Sequence, residues 1–450
     1  MGLPHERIPK ASLHQQLPQP AEVPPARPPT NHLRRILRAL SSRNYRLFFA
    51  GQGISLLGMT LQQIALGWYV YRLTGSQVML GTIGFLNQIP GLVISPIAGA
   101  LSDRVDGRRA LLAVQSGLMI QAFLVAIAVV TGYGTITVLL GLSLLQGVLN
   151  AFDLPFRQSV VPTLVEKHRD LPSAIALNSA MFNVARILGP SIGGILVASV
   201  GEQMCFFVNS ASYLAVLGAL AAIKLRPRVR SLPTGRMATD IFQGLSYVRH
   251  HRPIRDLLVL LAAESFLGLS YIVLFPVLAR DALRGDPHTL GFLMGAAGVG
   301  SLSAAIRLAS RRNLRGLLGN IALCVAISAV SLILFTFVHS LFPMMVLIAT
   351  AGFGFISVSG AANTIIHTLV DDHMRGRVMS CYTLAFVGFT PFGNLTLAWL
   401  AHRWGITHAI SLFGALLLVC ALIFWSRLKS LRAAVRPIYV DLGIIPWQNE

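Results

Sequence analysis

About a dozen nearly uncharged apolar runs follow one another along this chain, each of the ~20 residues that a helix needs to cross the hydrocarbon core of a bilayer. No water is available in that core to satisfy backbone polar groups, so a chain written this way folds as a bundle of spanning helices. Of the 450 residues, 54% are hydrophobic and 12% charged, and the mean hydropathy is +0.65. That balance leaves no stretch for a soluble domain of any size.

The runs fall at 47–72, 77–101, 110–132, 135–156, 172–200 and 203–224, then at 255–279, 288–309, 317–338, 341–366, 378–402 and 406–427. This divides the chain into a polar, Pro-rich tail (1–43), a six-helix half (44–225), a linker (226–253), a second six-helix half (254–428) and a tail (429–450). Met237, Ile241, Leu245 and Val248 recur in the linker at helical spacing opposite polar residues, which predicts a short amphipathic helix on the membrane surface. An internal repeat supports the division. Thr163-Leu-Val-Glu166-Lys-His168 returns 205 residues later as Thr368-Leu-Val-Asp371-Asp-His373, each copy after a fourth run and before a fifth, and Pro190 and Pro391 follow at similar depth.

A formal net charge of +20 in a soluble chain points to nucleic acid, but position argues otherwise. Most of the 37 Lys and Arg fall in or beside loops on one side, with Arg72, Arg280, Arg284 and Arg403 outside that set. This is the positive-inside asymmetry, and it predicts that both termini are cytoplasmic. The 1–43 segment has no signal-peptide core and reads as a disordered tail. Cys205, Cys324, Cys381 and Cys420 sit inside apolar runs without paired or metal-ligand spacing, so they read as small core residues and no metal is expected.

Between the second and third runs lies a tight polar loop, Gly99-Ala-Leu-Ser-Asp103-Arg104-Val-Asp106-Gly107-Arg108-Arg109. Gly99 is expected to let the loop press on a neighbouring helix. The arginines hold the loop in the cytoplasm. The two aspartates add little to orientation and are expected to pair across the bundle. Asp153 and Arg157 close the fourth run on one helical face around Pro155, placed to meet Arg104 or Arg108 and Asp103 in a charge lattice, or else to form a plain interfacial salt bridge.

Ionisable groups deep in spans are costly and are functional candidates by default. Arg186 lies near the middle of the fifth run, where it either holds an anionic ligand or is a buried ion pair. Glu264 lies ~15 Å into the seventh run at 1.5 Å per residue, a candidate proton carrier or a hydrogen-bonded structural group. In Arg186-Ile-Leu-Gly189-Pro190-Ser-Ile-Gly193-Gly194 the proline is expected to kink the helix, and the glycines to admit a close neighbour. Asn87, Gln88, Asn178, Asn183, Asn209 and Asn394 suit substrate hydrogen bonds or interhelical contacts equally. Trp68, Tyr69 and Tyr71 read as an interfacial belt, and His367 and His402 as interfacial groups.

From about Asn44 to Leu428 these residues resemble the major facilitator superfamily. Gly99 through Arg109 is similar to its loop signature, with two residues rather than one between Arg104 and Gly107; Arg108 and Arg109 match its basic positions. Gly189-Pro190-x-x-Gly193-Gly194 resembles the fifth-helix motif of proton-coupled exporters. Asp153-Leu-Pro155-Phe-Arg157-Gln158, Asn183-x-x-Arg186-x-x-Gly189-Pro190 and Met374-Arg375-Gly376-Arg377-Val378-Met379-Ser380 resemble the branch containing the enterobactin exporter and the transmembrane secretion effectors. The resemblance implies an all-α membrane protein of twelve helices in two pseudo-symmetric halves. It implies export of a siderophore or drug-like molecule by alternating access and proton antiport, in a bacterial inner membrane, with no cofactor beyond the proton gradient. A monomer is expected, working with outer-membrane or periplasmic components. A lipid flippase or a non-transporting scaffold would keep the same packing motifs. An enzyme would need a nucleophile and base or a metal cluster, and no such spacing occurs.

Overall fold

The structure is a computed structural model describing residues 37–102, 104–165, 167–223, 237–311, 315–371 and 374–441; within these, the side chains of 96, 100, 168, 179, 183, 186, 187, 190, 191, 237–242 and 441 are not described. The described residues form helices and no strands. They are α1 (Arg43–Thr74), α2 (Gln77–Ser102), α3 (Gly107–Val130), α4 (Ile136–Val160), α5 (Leu171–Ala222) and α6 (Met237–His250), then α7 (Arg252–Ala282), α8 (Pro287–Ala309), α9 (Leu317–Phe335), α10 (Leu341–Leu369), α11 (Arg375–Trp404) and α12 (Ile406–Asp441).

Ten described segments are long and apolar enough to cross a membrane. α1 spans 32 residues but is diluted by Gln52, Gln62, Gln63 and Arg72. α5, at 52 residues, is two helices joined at Gly201 (φ 83°, ψ 164°). A backbone of that kind is open almost only to glycine. Gly405, 204 residues further on, joins α11 to α12 with φ 84° and ψ 153°. The repeat seen in the sequence thus extends to the corner between the last two spans of each half. The backbone of α5 keeps helical dihedrals through 189–194, where Pro190 stands, and leaves them at Gly201.

α1, α2, α3, α4 and α5 pack among themselves, as do α7, α8, α9, α10, α11 and α12, and the two groups meet where α5 lies on α8 and α2 on α11. The glycine motif explains the first contact. A Cβ at Gly189 would collide with Thr60 Oγ1, and one at Gly193 would fall 2.7 Å from Ile64 Cδ1, both on α1; at Gly194 it would lie 2.6 Å from the Gly291 Cα of α8. One turn of α5 therefore seats against its own group on one side and across the groups on the other. Inside the first group a buried amide chain crosses three helices: Asn209 Nδ2 donates to Gln62 Oε1 (2.6 Å), and Gln62 Nε2 donates to Gln121 Oε1 (3.2 Å). In an apolar surround such pairs hold helices in register.

Two flanking helices carry contacts that their spacing does not reveal. α6 is docked on α7 and α11. Gly244 packs against the Arg377 backbone, so that a Cβ there would sit 2.9 Å from its carbonyl oxygen, and the Tyr247 hydroxyl donates to Asp371 Oδ2 (3.0 Å). Val248 is buried and Leu245 exposed; the side chains of Met237 and Ile241 and all of 224–236 lie outside the described residues. The last helix runs to Asp441 rather than ending near 427. Leu428, Leu431, Val435 and Tyr439 form a buried face at helical spacing. Arg427, Lys429, Arg432 and Arg436 interleave with it, so averaged hydropathy falls while the helix continues. The tails at 1–36 and 442–450 are outside the described residues.

Candidate functional site

A cavity of about 600 Å³ lies between the two groups of helices. Its polar wall is of neutral amides and hydroxyls, among them Gln63 of α1, Asn87 and Gln88 of α2, Gln146 of α4, Ser301 of α8, and Thr390 and Asn394 of α11. Aromatic faces complete it, from Phe182 of α5, Tyr271 and Phe275 of α7, Phe355 of α10 and Phe386 of α11. Asn87 Nδ2 donates to Gln146 Oε1 (3.0 Å), which fixes both amides. Such a surface suits an amphiphile, apolar over most of its area with a few hydrogen-bonding groups.

Of the amides singled out by sequence, Asn87, Gln88 and Asn394 reach the cavity, whereas Asn209 is spent in the buried chain with Gln62. Gln63 and Gln146 join them without any local signal in the sequence. Gln62 is fully buried and Gln63 exposed, and nothing in the residues themselves separates two adjacent glutamines; a rotation of 100° per residue does. Asn183 and Arg186 are on the helical backbone of α5, but their side chains lie outside the described residues. Phe182 and Ala185, beside them, line the cavity.

Glu264 opens a π-helical turn, Glu264–Gly268, followed by a 3₁₀ turn, Ser270–Leu274. Pro276 contributes to this irregularity, because its missing N–H leaves the Ile272 carbonyl without its helical donor. The carboxyl group is 0% exposed, and neither oxygen has a hydrogen-bond partner. Among the described residues it has neither the ion pair nor the carbonyl contacts of a structural acid. Gly268, at the other end of the turn, lines the cavity.

The charges at the other end of the bundle are arranged differently from the expected lattice. Asp153 pairs with Arg157 one turn along α4 and accepts from Gln115 Nε2 of α3 (2.6 Å). Both members of the ion pair are buried, and the Arg157 guanidinium lies 5.2 Å from the centre of the Phe182 ring. Arg108 does not meet Asp153. Its Nε and Nη2 donate to the Leu220 and Ala221 carbonyls at the end of α5 (2.7 and 2.8 Å), where a helix C-terminus offers unpaired acceptors and negative potential. Asp106 does not pair across the bundle either. It caps α3, accepting from the Arg109 N–H (2.9 Å), because an aspartate at this position satisfies an orphan donor. Arg104 and Arg109 are exposed, and Asp103 is outside the described residues. Among the described residues, no neighbouring element comes within 4 Å of where a Cβ on Gly99 would stand. The close approach belongs to Gly107 instead, 3.0 Å from Ser159 Oγ on the same measure. Asp106 is thus the cap, and Gly107 the first residue of α3.

At the far end of the bundle, where α1 ends, the tyrosines are not all a belt. Tyr71 is buried, and its hydroxyl donates to Asp281 Oδ2 of α7, with Arg280 stacked 5.8 Å from the ring centre. Arg72 pairs with Glu202 (3.4 Å). Of the four arginines expected outside the positive-inside set, Arg280 is therefore held where the two groups meet and Arg72 within the first group. His367 and His402 are exposed. Cys205, Cys324 and Cys381 are buried as free thiols in the core, and Cys420 is half-buried.

Comparison with known proteins bears on this geometry. The profile of the transmembrane secretion effector family matches residues 36–437. The staphyloferrin A transporter of Staphylococcus aureus is 25% identical over 385 residues, covering 84% of this chain and 95% of that protein. The multidrug efflux pump Tap of Mycobacterium tuberculosis is 29% identical over 397 residues, covering 85% and 91%. Among solved structures, the nucleoside transporter NupG, in a point-mutant form, superposes with a TM-score of 0.68 at 10% identity, over 85% of this chain and 99% of that one, a likeness of fold. With a family match along nearly its whole length and a helical cavity fold shared with transporters, the chain belongs to the transmembrane secretion effector family of the major facilitator superfamily, membrane transporters rather than enzymes.

Proposed function

We propose that this protein is a secondary active exporter of a small organic amphiphile, driven by proton antiport and working by alternating access between residues 44–225 and 254–428. The observation that carries the reading is the central cavity, walled by both groups of helices, with an unpartnered carboxyl group one π-turn behind its surface. A carboxyl near mid-membrane changes charge with its proton, so its preference for a dry or a wet surround changes too, and this can bias a two-state bundle. The neutral amides and aromatic faces favour a drug-like or siderophore-like cargo, in keeping with the activities by which the relatives are known. With the termini in the cytoplasm of a bacterial inner membrane, the contacts Tyr71 to Asp281, Gly194 to Gly291 and Gly81 to Ala398 lie toward the outer end, and cargo leaves when they part. The decisive test uses proteoliposomes with an imposed pH gradient: cargo uptake must carry protons the other way. Cargo movement that ignores the gradient, or proton flux that ignores cargo, rejects antiport.

The outer seam makes its own prediction. Tyr71→Phe removes one hydrogen bond between the groups, worth ~1 kcal/mol net, and shifts the balance between states about fivefold toward outer opening. A cysteine placed at Ser301 in the cavity wall is then labelled faster by an impermeant thiol reagent from outside. Unchanged labelling would show that the bond does not hold the seam.

A further inference from the structure

Each group of helices carries the same fastening at the end where its first span begins. Before α1, the 3₁₀ turn Leu37–Ser41 lies on the connection from α4 to α5. The Ala39 N–H donates to Ser173 Oγ (3.1 Å), Ser42 Oγ donates to the Leu164 carbonyl (2.7 Å), and the Tyr45 hydroxyl, at the start of α1, donates to the Ala174 carbonyl in the first turn of α5 (2.8 Å). Before α7, α6 lies on the connection from α10 to α11. Gly244 meets the Arg377 backbone, the Tyr247 hydroxyl donates to Asp371, and the Tyr247 ring stacks on His251, the residue before α7, with 3.9 Å between ring centres. Ala39 and Gly244 stand 205 residues apart, and so do Ser42 and Tyr247. This is the spacing at which Thr163-Leu-Val-Glu166 returns as Thr368-Leu-Val-Asp371, so the fastening and the segment it holds are duplicated together.

The residue types fit a dedicated contact. A serine at the N-cap of a helix ordinarily bonds the N–H groups of that helix. Ser42 occupies the N-cap of α1 and makes no such bond; its hydroxyl is spent on the loop. Ser42 and Tyr45 are 6% and 1% exposed, and a buried hydroxyl left without its acceptor costs more than the bond gains when made. Where each fastening presses there is a small residue, Ala39 in one copy and Gly244 in the other, and a Cβ on Gly244 would crowd the Arg377 carbonyl. The two spans held in this way are also the ones that meet the opposite group, since α5 lies on α8 and α11 on α2. Both line the cavity, α5 through Phe182 and Ala185, α11 through Phe386, Thr390 and Asn394. A helix fixed at its base to the first span of its own group does not tilt or slide alone.

We propose that Ser42 with Tyr45, and Gly244 with Tyr247, are positioning residues for transport: two copies of one clasp, each fixing the base of the span that faces the other group, α5 in one copy and α11 in the other, so that each cavity wall moves with its own group. The proposal rests on alternating access and is independent of Glu264 and of proton antiport. Neither clasp bridges the two groups, so neither favours the inner or the outer opening. What the clasps set is how sharply each state is defined.

Two pairs of substitutions each loosen one copy: Ser42→Ala with Tyr45→Phe, and Gly244→Ala with Tyr247→Phe. In the full-length protein in liposomes, hydrogen exchange read by mass spectrometry should rise about tenfold or more at 169–175 in the first pair, with 374–380 within about twofold of wild type, and the reverse in the second pair. Unchanged exchange in the fastened corner, or both corners rising together, overturns the clasp. The second readout is positional, because exchange alone would follow from any structural contact. Spin labels at Arg169→Cys and Gly376→Cys, both exposed positions, report the distance between the bases of α5 and α11, with Cys420→Ala removing the native thiol that is not fully buried. Wild type is expected to show two narrow distance populations. Loosening either clasp should about double their widths, with the peak positions kept and the melting temperature within about 3 °C of wild type. Widths as narrow as in wild type overturn the positioning role. If the widths double while one population persists under every imposed pH gradient, the clasps stand and the two-state reading falls.

Discussion

Glu264→Gln is expected to reduce pH-driven export to the level of empty liposomes while leaving cargo affinity within about threefold of wild type. Glutamine copies the shape of the neutral acid and cannot release a proton, so it fixes one member of the pair of states that coupling requires. Folding should survive, because neither carboxyl oxygen makes a hydrogen bond that the amide would lose. The informative measurement is cargo affinity at two pH values alongside transport under an imposed gradient. A mutant that binds but does not respond to the gradient separates coupling from recognition. If Glu264→Gln transports at full rate under the gradient, the carboxyl is structural, and the coupling group has to be sought at Asp153.

The second large effect is on stability. Removing one member of a buried ion pair leaves the other charge without its partner, typically at ~3–5 kcal/mol. Asp153 and Arg157 are 5% and 6% exposed, and once Arg157 is gone Asp153 keeps, among the described residues, the Gln115 amide. Arg157→Met should therefore lower the melting temperature of the purified protein markedly. Asp153→Leu with Arg157→Met should recover most of the loss, since two apolar groups of similar size need no compensation. A single mutant as stable as wild type would mean that the pair contributes nothing to the fold. The double mutant also asks a functional question. If it is stable but does not transport, the pair acts in the conformational cycle through Phe182, which Arg157 stacks upon and which lines the cavity.

Much of the fold is legible in advance because crossing a membrane is a property of a whole window of residues. The apolar runs, the charge asymmetry of the loops and the small residues of the 189–194 turn are visible without knowing what any side chain touches, and so is the depth of Glu264. The departures share one cause. Gln62 and Gln63 are neighbours in sequence, but only Gln63 faces the cavity. Asp106, expected to pair across the bundle, caps its own helix. Arg108, expected near Asp153, holds the end of α5. Tyr71 reads from its neighbours as part of a lipid-facing belt and sits between the two groups of helices. For Asp106, Arg108 and Tyr71 the chemistry of the side chain is as expected and its partner is not. Composition and spacing alone determined that this chain is a polytopic membrane protein with an acid deep in its seventh span. Only the packed structure decided which polar groups meet, because each residue turns a helix by 100° and the rotation at which helices dock is set by the sum of their contacts.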